Sequence, residues 1–259
     1  MELLYQDAQI AVCIKPQGVL SEAGPGSLPG LLQDALGGSI YPVHRLDRNV
    51  GGVMVYARTK AAAAALSRAI QDGGMAKEYL ALIHGRPMGP EGVWEDLLWK
   101  DKEKNHVFVV RRMRKGVKAA KLAYRTLEAR ENLTLVHIRL YTGRSHQIRV
   151  QFASRGFPLA GDHKYGSRDK AAAPALWSFR LTFPHPSTGR MLTFCRPPAG
   201  EIWSSFPLPF RRRLHGTAGL LKAVQSLPSL KKGIRLTLCG EGGNFISGTQ
   251  LYPSSVALR

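Results

Sequence analysis

The sequence predicts a mixed α+β fold in which a mostly antiparallel sheet carries helices on its faces. Three observations lead there. Segments with the period-two alternation of strands recur along most of the chain, only two segments carry convincing helix signals, and no internal repeat divides the 259 residues. A chain of this length buries a sizeable core as one domain of ordinary size plus an appendage.

The chain opens on "LLYQDAQIAVCIKPQGVL", where Ile10, Val12 and Ile14 share one face of a strand that stops at Lys15-Pro16-Gln17-Gly18. "SEAGPGSLPG" then reads as a loop. "VMVYA" is strand-like, and Thr59 caps a helix over "KAAAAALSRAIQ" that ends at Gly73-Gly74. "KEYLALIHG" returns as a strand with Tyr79, Ala81 and Ile83 on one side and Leu80 and Leu82 on the other. "TLVHIRLYTG" is another strand, and Ser145 is the expected cap of a helix "HQIRVQFASR". That helix closes at Gly156, stacks Ile148 on Phe152 and carries Arg149 near its start. "LWSFRLTF" and "RMLTFCR" flank a longer hairpin loop. Beyond "RRRLHG" the texture changes, because residues 214–259 hold a single acid, Glu241, among many Gly and Ser. The expected division is therefore a domain over 1–213 and a basic tail over 214–259 whose only helical patch is "AGLLKAVQSL".

Composition narrows the function. With 37 Lys and Arg against 18 Asp and Glu, a net charge of +19, the expected partner is a polyanion, nucleic acid first. No apolar run approaches the roughly 20 residues that span a bilayer, and the opening "MELLYQDAQ" lacks a basic leader region, so a soluble, cytoplasmic protein is expected. Cys13, Cys195 and Cys239 are too scattered for a disulfide framework or a zinc cluster and are expected as free thiols. There is no H-E-x-x-H, Walker or G-x-S-x-G pattern. From Lys100 to Lys118, eight Lys and Arg accompany two acids, which fits either a solvated hairpin or an RNA-facing arm.

The stretch "PVHRLDRNVGG" sets one carboxylate, Asp47, between Arg45 and Arg48. Alone, Asp47 reads either as a structural ion pair or as a nucleophile, since a carboxylate is ionised at neutral pH and nearby guanidinium groups keep it so. Likewise Tyr79 alone is a strand-core tyrosine and Arg149 a helix-surface arginine.

Together the residues say more. "HRLDRNVGGVMVYART", "KEYLALIHG" and "YTGRSHQIRVQFASRGFPLAGDHKYG" resemble, in order, the three motif blocks of the RluA family of pseudouridine synthases. The ends "LLYQDAQIAVCIKPQGVL" and "LWSFRLTFPHPSTGRMLTFCRPP" resemble that family's ends, so the likeness runs from about residue 3 to about residue 198. It implies a pseudouridine synthase fold around a central RNA-binding cleft. Asp47 is implied as the nucleophile that attacks the target uridine so that the base detaches, turns and rejoins through C5. Tyr79 is implied as the active-site tyrosine, Arg149 as the partner of the aspartate, and Arg45 as the arginine that enters the nucleic-acid stack.

The expected RNA contacts are His44, Arg45 and Arg48 in the first block, and Arg144, His146 and Gln147 in the third. Arg111, Arg112, Arg114 and Lys115 supply the arm. An isomerisation of this kind needs no cofactor and no metal, and a paired base must be extruded before it can react. The expected partner is ribosomal or transfer RNA, bound by a monomer that needs no obligate protein partner and carries no S4-type domain ahead of "LLYQD". The chain departs from the family pattern at Val50-Gly51-Gly52, where Thr-Ser-Gly is usual, and at Gln151 and Phe157, where histidine is frequent. Two rivals remain: a catalytically silent RNA-binding protein of the same fold, and a hydrolase built on Ser145 or His146.

Overall fold

The computed structural model describes residues 1–206 and 208 in full, and 236–239 and 245–248 as backbone. Eleven strands form one sheet: β1 (Glu2–Gln6), β2 (Ile10–Lys15), β3 (Tyr41–Pro42), β4 (Gly51–Ala57), β5 (Ala76–His84), β6 (Glu91–Asp101), β7 (His106–Val110), β8 (Val117–Arg130), β9 (Leu133–Leu140), β10 (Leu176–Pro184) and β11 (Met191–Cys195). Their order is β1-β2-β4-β10-β5-β9-β8-β6-β7, with β3 beside β4 and β11 beside β10. Every pairing is antiparallel except β4 with β10, so the expected mixed, mostly antiparallel sheet is what forms.

Alternation along the strands divides the core in two. Tyr79, Ala81 and Ile83 of β5 join Met54 and Tyr56 of β4 on one face. On that face lie α1 (Leu28–Leu36), through Leu28 and Leu32, and α3 (Gln147–Ala153), through Ile148 and Phe152. The opposite face takes α2 (Lys60–Gln71) on Ala62 and Leu66, and α4 (Glu201–Ser204) on Trp203. Covered on both sides, β4 is buried along its whole length and is correspondingly apolar. Thr59 accepts a hydrogen bond from the amide of Ala62, the expected cap of α2 and a contribution of about 1 kcal/mol.

The structure revises several expectations. The opening run holds two strands joined at Asp7, whose carboxylate accepts from the amides of Gln9 and Ile10. The glycine-rich loop contains α1, signalled by Ser27 as its cap and Pro29 in its first turn. Ser145 does not cap α3; that position falls to His146, with φ 50 and ψ 22, and its side chain makes no capping bond. Cys13 is a buried free thiol, but Cys195 is disulfide-bonded, so the expectation of free thiols fails there. Within 214–259, β12 (Leu236–Cys239) pairs antiparallel with β13 (Phe245–Gly248), and the patch "AGLLKAVQSL" lies outside the described residues. Among the described residues no helix is long and apolar enough to cross a membrane.

Candidate active site

The loop between β3 and β4 carries Asp47, and its shape is set from the N-terminal segment. Ser21 Oγ donates to the carbonyl of Leu46 (2.9 Å) and accepts from the amide of the same residue (3.2 Å). Lys15, fully buried at the end of β2, donates its ammonium to the carbonyls of Pro16, Val19 and Arg48 at 2.7–2.9 Å. Burial pushes the Lys15 pKa down to about 8 against the opposing pull of Asp47. Leu46 drops into the core between these anchors, which turns the next side chain, Asp47, outward into the cleft.

There Asp47 meets α3. Arg149, third in the helix and buried, donates from Nη1 to Asp47 Oδ2 at 2.9 Å. Its Nε and Nη2 donate to the two oxygens of Asp162 at 2.7 and 2.8 Å, the planar bidentate geometry for which guanidinium is suited. Burial works against the charge on Arg149, yet its bonds to Asp162 and the charges of Asp162 and Asp47 raise its pKa overall. Asp162 is only 1% exposed, so one guanidinium neutralises a buried carboxylate and orients a second, accessible one.

The unusual backbone of His146 turns its ring into the same space. The oxygen of Tyr165 accepts from the amide of Val107 (3.0 Å) and shares a hydrogen bond with Nδ1 of His146 (2.8 Å). Nε2 of His146 lies 3.9 Å from Asp47 Oδ2. Burial lowers the His146 pKa to about 4 despite Asp47, so the ring stays neutral near pH 7. The Arg149 guanidinium lies 5.0 Å over the Tyr165 ring.

Tyr79 projects from β5 into the same cleft, a space of about 520 Å³ lined by both Asp47 and Arg149. Its phenol pKa is raised by burial, further by Asp47, and lowered only by a bond with Ser178. A second opening of about 580 Å³, lined by Lys100, Asn105, His163 and Lys164, also reaches Asp47 and Arg149. The nucleophile candidate thus sits where two clefts meet.

The remaining sequence candidates have distinct places. Arg45 reaches across to Ser145, donating to its Oγ at 2.6 Å, and lines both openings. Arg48 donates to the carbonyl of Gly18, and Arg144 to that of Ala119. His44 accepts from the amide of Val55, and burial lowers its pKa to about 3, so it too stays neutral. Gln147 is buried, accepting from Thr142 and the Arg144 amide and donating to the Lys121 carbonyl. Arg111, Arg112, Arg114 and Lys115 are exposed on the β7–β8 connection and line neither opening, with Arg114 5.2 Å over the Trp99 ring.

Sequence reasoning missed Asp162, Tyr165 and Lys15, although "GDHKYG" holds the first two. Gly51 has a packing reason: a Cβ there would meet Trp177 at 2.5 Å and the Lys15 carbonyl at 3.0 Å. At Gly52, with φ +125, it would meet the Ser178 carbonyl at 2.3 Å. These glycines let β10 lie against β4. Gln151 donates to Asp96, which Arg155 also holds. Among the described residues no group of three His, Cys, Asp or Glu side chains could hold a metal ion.

Residues 9–154 match the RNA pseudouridylate synthase family. The uncharacterized RNA pseudouridine synthase YlyB of Bacillus subtilis is 32% identical over 211 residues, 76% of this chain and 69% of the relative. The dual-specificity RNA pseudouridine synthase RluA of Escherichia coli K12 is 35% identical over 212 residues, 75% of this chain and 92% of the relative. Among solved structures, the human RNA pseudouridylate synthase domain containing 1 superposes with a TM-score of 0.66 at 22% identity. That match covers 89% of this chain and 96% of the other, a likeness of fold.

Proposed function

Because the chain belongs to the RNA pseudouridylate synthase family and isomerises uridine in RNA, we propose that Asp47 is its nucleophile, Arg149 the residue that holds it, and Tyr79 the residue that meets the base. The observation that carries this is the 2.9 Å bond from Arg149 to Asp47 in a cleft floored by Tyr79. The Asp47 carboxylate acts at C1′ of the extruded uridine, and the N1–C1′ bond breaks with its electron pair on uracil. The base turns, C5 bonds to C1′ and the carboxylate is released. The C5 proton leaves and N1 gains a proton, so product and substrate have the same composition. Tyr79 enters as the protonated phenol, so its oxygen takes the C5 proton as its own proton passes to uracil N1, directly or through water, and the phenol is restored.

RNA carrying tritium at uridine C5 should release it to water with the wild-type protein. Mapping pseudouridines in cellular RNA with and without this gene identifies the target, which we take to be ribosomal or transfer RNA. The catalytic unit lies within residues 1–213, and we place it in the cytoplasm as a monomer without an obligate partner. A silent RNA-binding protein would need one of the three residues displaced, and all three line one cleft. The hydrolase reading fits poorly, because Ser145 is held by Arg45 while His146 is turned to Tyr165.

Tyr79→Phe keeps the ring and removes the hydroxyl. It should lower tritium release by roughly a hundredfold or more with little change in RNA affinity; the reverse pattern would assign Tyr79 to binding alone. The arm contacts RNA phosphates in this reading, together with Arg45, Arg48, Arg144 and His146 nearer the cleft. Neutralising Arg111, Arg112, Arg114 and Lys115 together should flatten the salt dependence of binding, by about 0.7–0.9 in slope for each phosphate that the arm no longer neutralises. An unchanged slope would make the arm a solvated hairpin.

A further inference from the structure

Lys77 stands two residues before Tyr79 on β5, so period two places both side chains on the same face of the sheet. It lines the catalytic cleft, and its ammonium lies 3.8 Å from where a Cβ would sit at Gly143. The other cations around this cleft are engaged: Arg149 by Asp47 and Asp162, Arg45 by Ser145, Arg144 by a carbonyl, and Arg139 over the Tyr141 ring at 5.5 Å. The neighbouring carboxylate, Glu78, points to the opposite face and pairs with His137 at 2.7 Å. Among the described residues the Lys77 ammonium has no hydrogen-bond acceptor and no ion-pair partner.

Burial lowers the pKa of Lys77, so an anion beside it would stabilise the ammonium, and the anion an extruded nucleotide brings is its backbone phosphate. Residues two apart on a strand are about 7 Å apart, comparable to the span from phosphate to base within one nucleotide. We propose that Lys77 binds a non-bridging oxygen of a phosphate flanking the extruded uridine while Tyr79 meets the base. His44, neutral beside Lys77, supplies neither competing charge nor a counter-ion. Lys77 is then a positioning residue: it holds the sugar so that C1′ faces Asp47.

This rests on the reading of the cleft as the uridine site, and the test separates the two. The probe is a synthetic stem-loop RNA copied from the mapped uridine, made with a neutral methylphosphonate on either side of it in turn. One of these substitutions should weaken wild-type binding about tenfold and lower its salt slope by about 0.7–0.9, with no further loss in Lys77→Met. Lys77→Arg should retain wild-type affinity and slope. The proposal is overturned if neither methylphosphonate weakens wild-type binding, an outcome that needs no variant to fold. It is also overturned if Lys77→Met slows turnover at saturating RNA with affinity and slope unchanged. Turnover near the wild-type rate in Asp47→Asn would instead overturn the site reading itself.

Discussion

Asp47→Asn should bind RNA as tightly as the wild-type protein or slightly more tightly, and form no pseudouridine. The amide preserves the shape of the carboxylate, and its oxygen still accepts from Arg149 Nη1. Arg149 keeps its two bonds to Asp162, so the fold has no reason to change. What disappears, in the proposed mechanism, is the carboxylate that attacks C1′, and binding energy cannot replace a covalent step. Removing one negative charge from a strongly basic surface favours RNA modestly. Tritium release and RNA affinity measured on the same preparation decide the matter, and turnover near the wild-type rate would exclude Asp47 as nucleophile.

The second large effect is expected at Arg149, and it is both structural and catalytic. Arg149→Met leaves the Asp162 carboxylate, 1% exposed, without its guanidinium. Breaking a buried pair from one side costs about 3–5 kcal/mol, which for a chain of this size lowers the melting temperature by roughly 10 °C. Asp162→Asn added to Arg149→Met should recover much of that loss, because a neutral amide tolerates burial far better than an unpaired charge. Activity should not return, since Asp47 still lacks the group that orients it. Calorimetry on the single and double variants tests this: an Arg149→Met protein that melts within about 2 °C of wild type would show that Asp162 finds another partner.

Much of the site was legible in the residues alone. Asp47, Tyr79 and Arg149 were legible because each lies in a short block whose residue types match a known pattern, and the structure gathers all three at one cleft. The strands β4, β5, β9 and β10 were legible because burial on a sheet imposes alternation or a continuous apolar run, and both are local signals. The helix α1 was not, since its nine residues are flanked by glycines and only Ser27 and Pro29 mark its start. The error at Ser145 has a similar cause: its hydroxyl suits a cap, but Arg45, 100 residues earlier, holds it.

By itself, then, the sequence determined the fold class, the basic character of the chain and the three residues that the structure gathers at one cleft. Those properties follow from periodicity, charge and motif, which act within a few residues. Only the tertiary structure decided that Arg149 answers two carboxylates, that Lys15 and Ser21 shape the loop presenting Asp47, and that Lys77 stands in the cleft without a counter-ion among the described residues. Each of these depends on which groups share a buried space, some of them separated by as many as 102 residues of chain. The cost of leaving a charge or a backbone polar group unpaired there is set by the neighbours that the fold supplies.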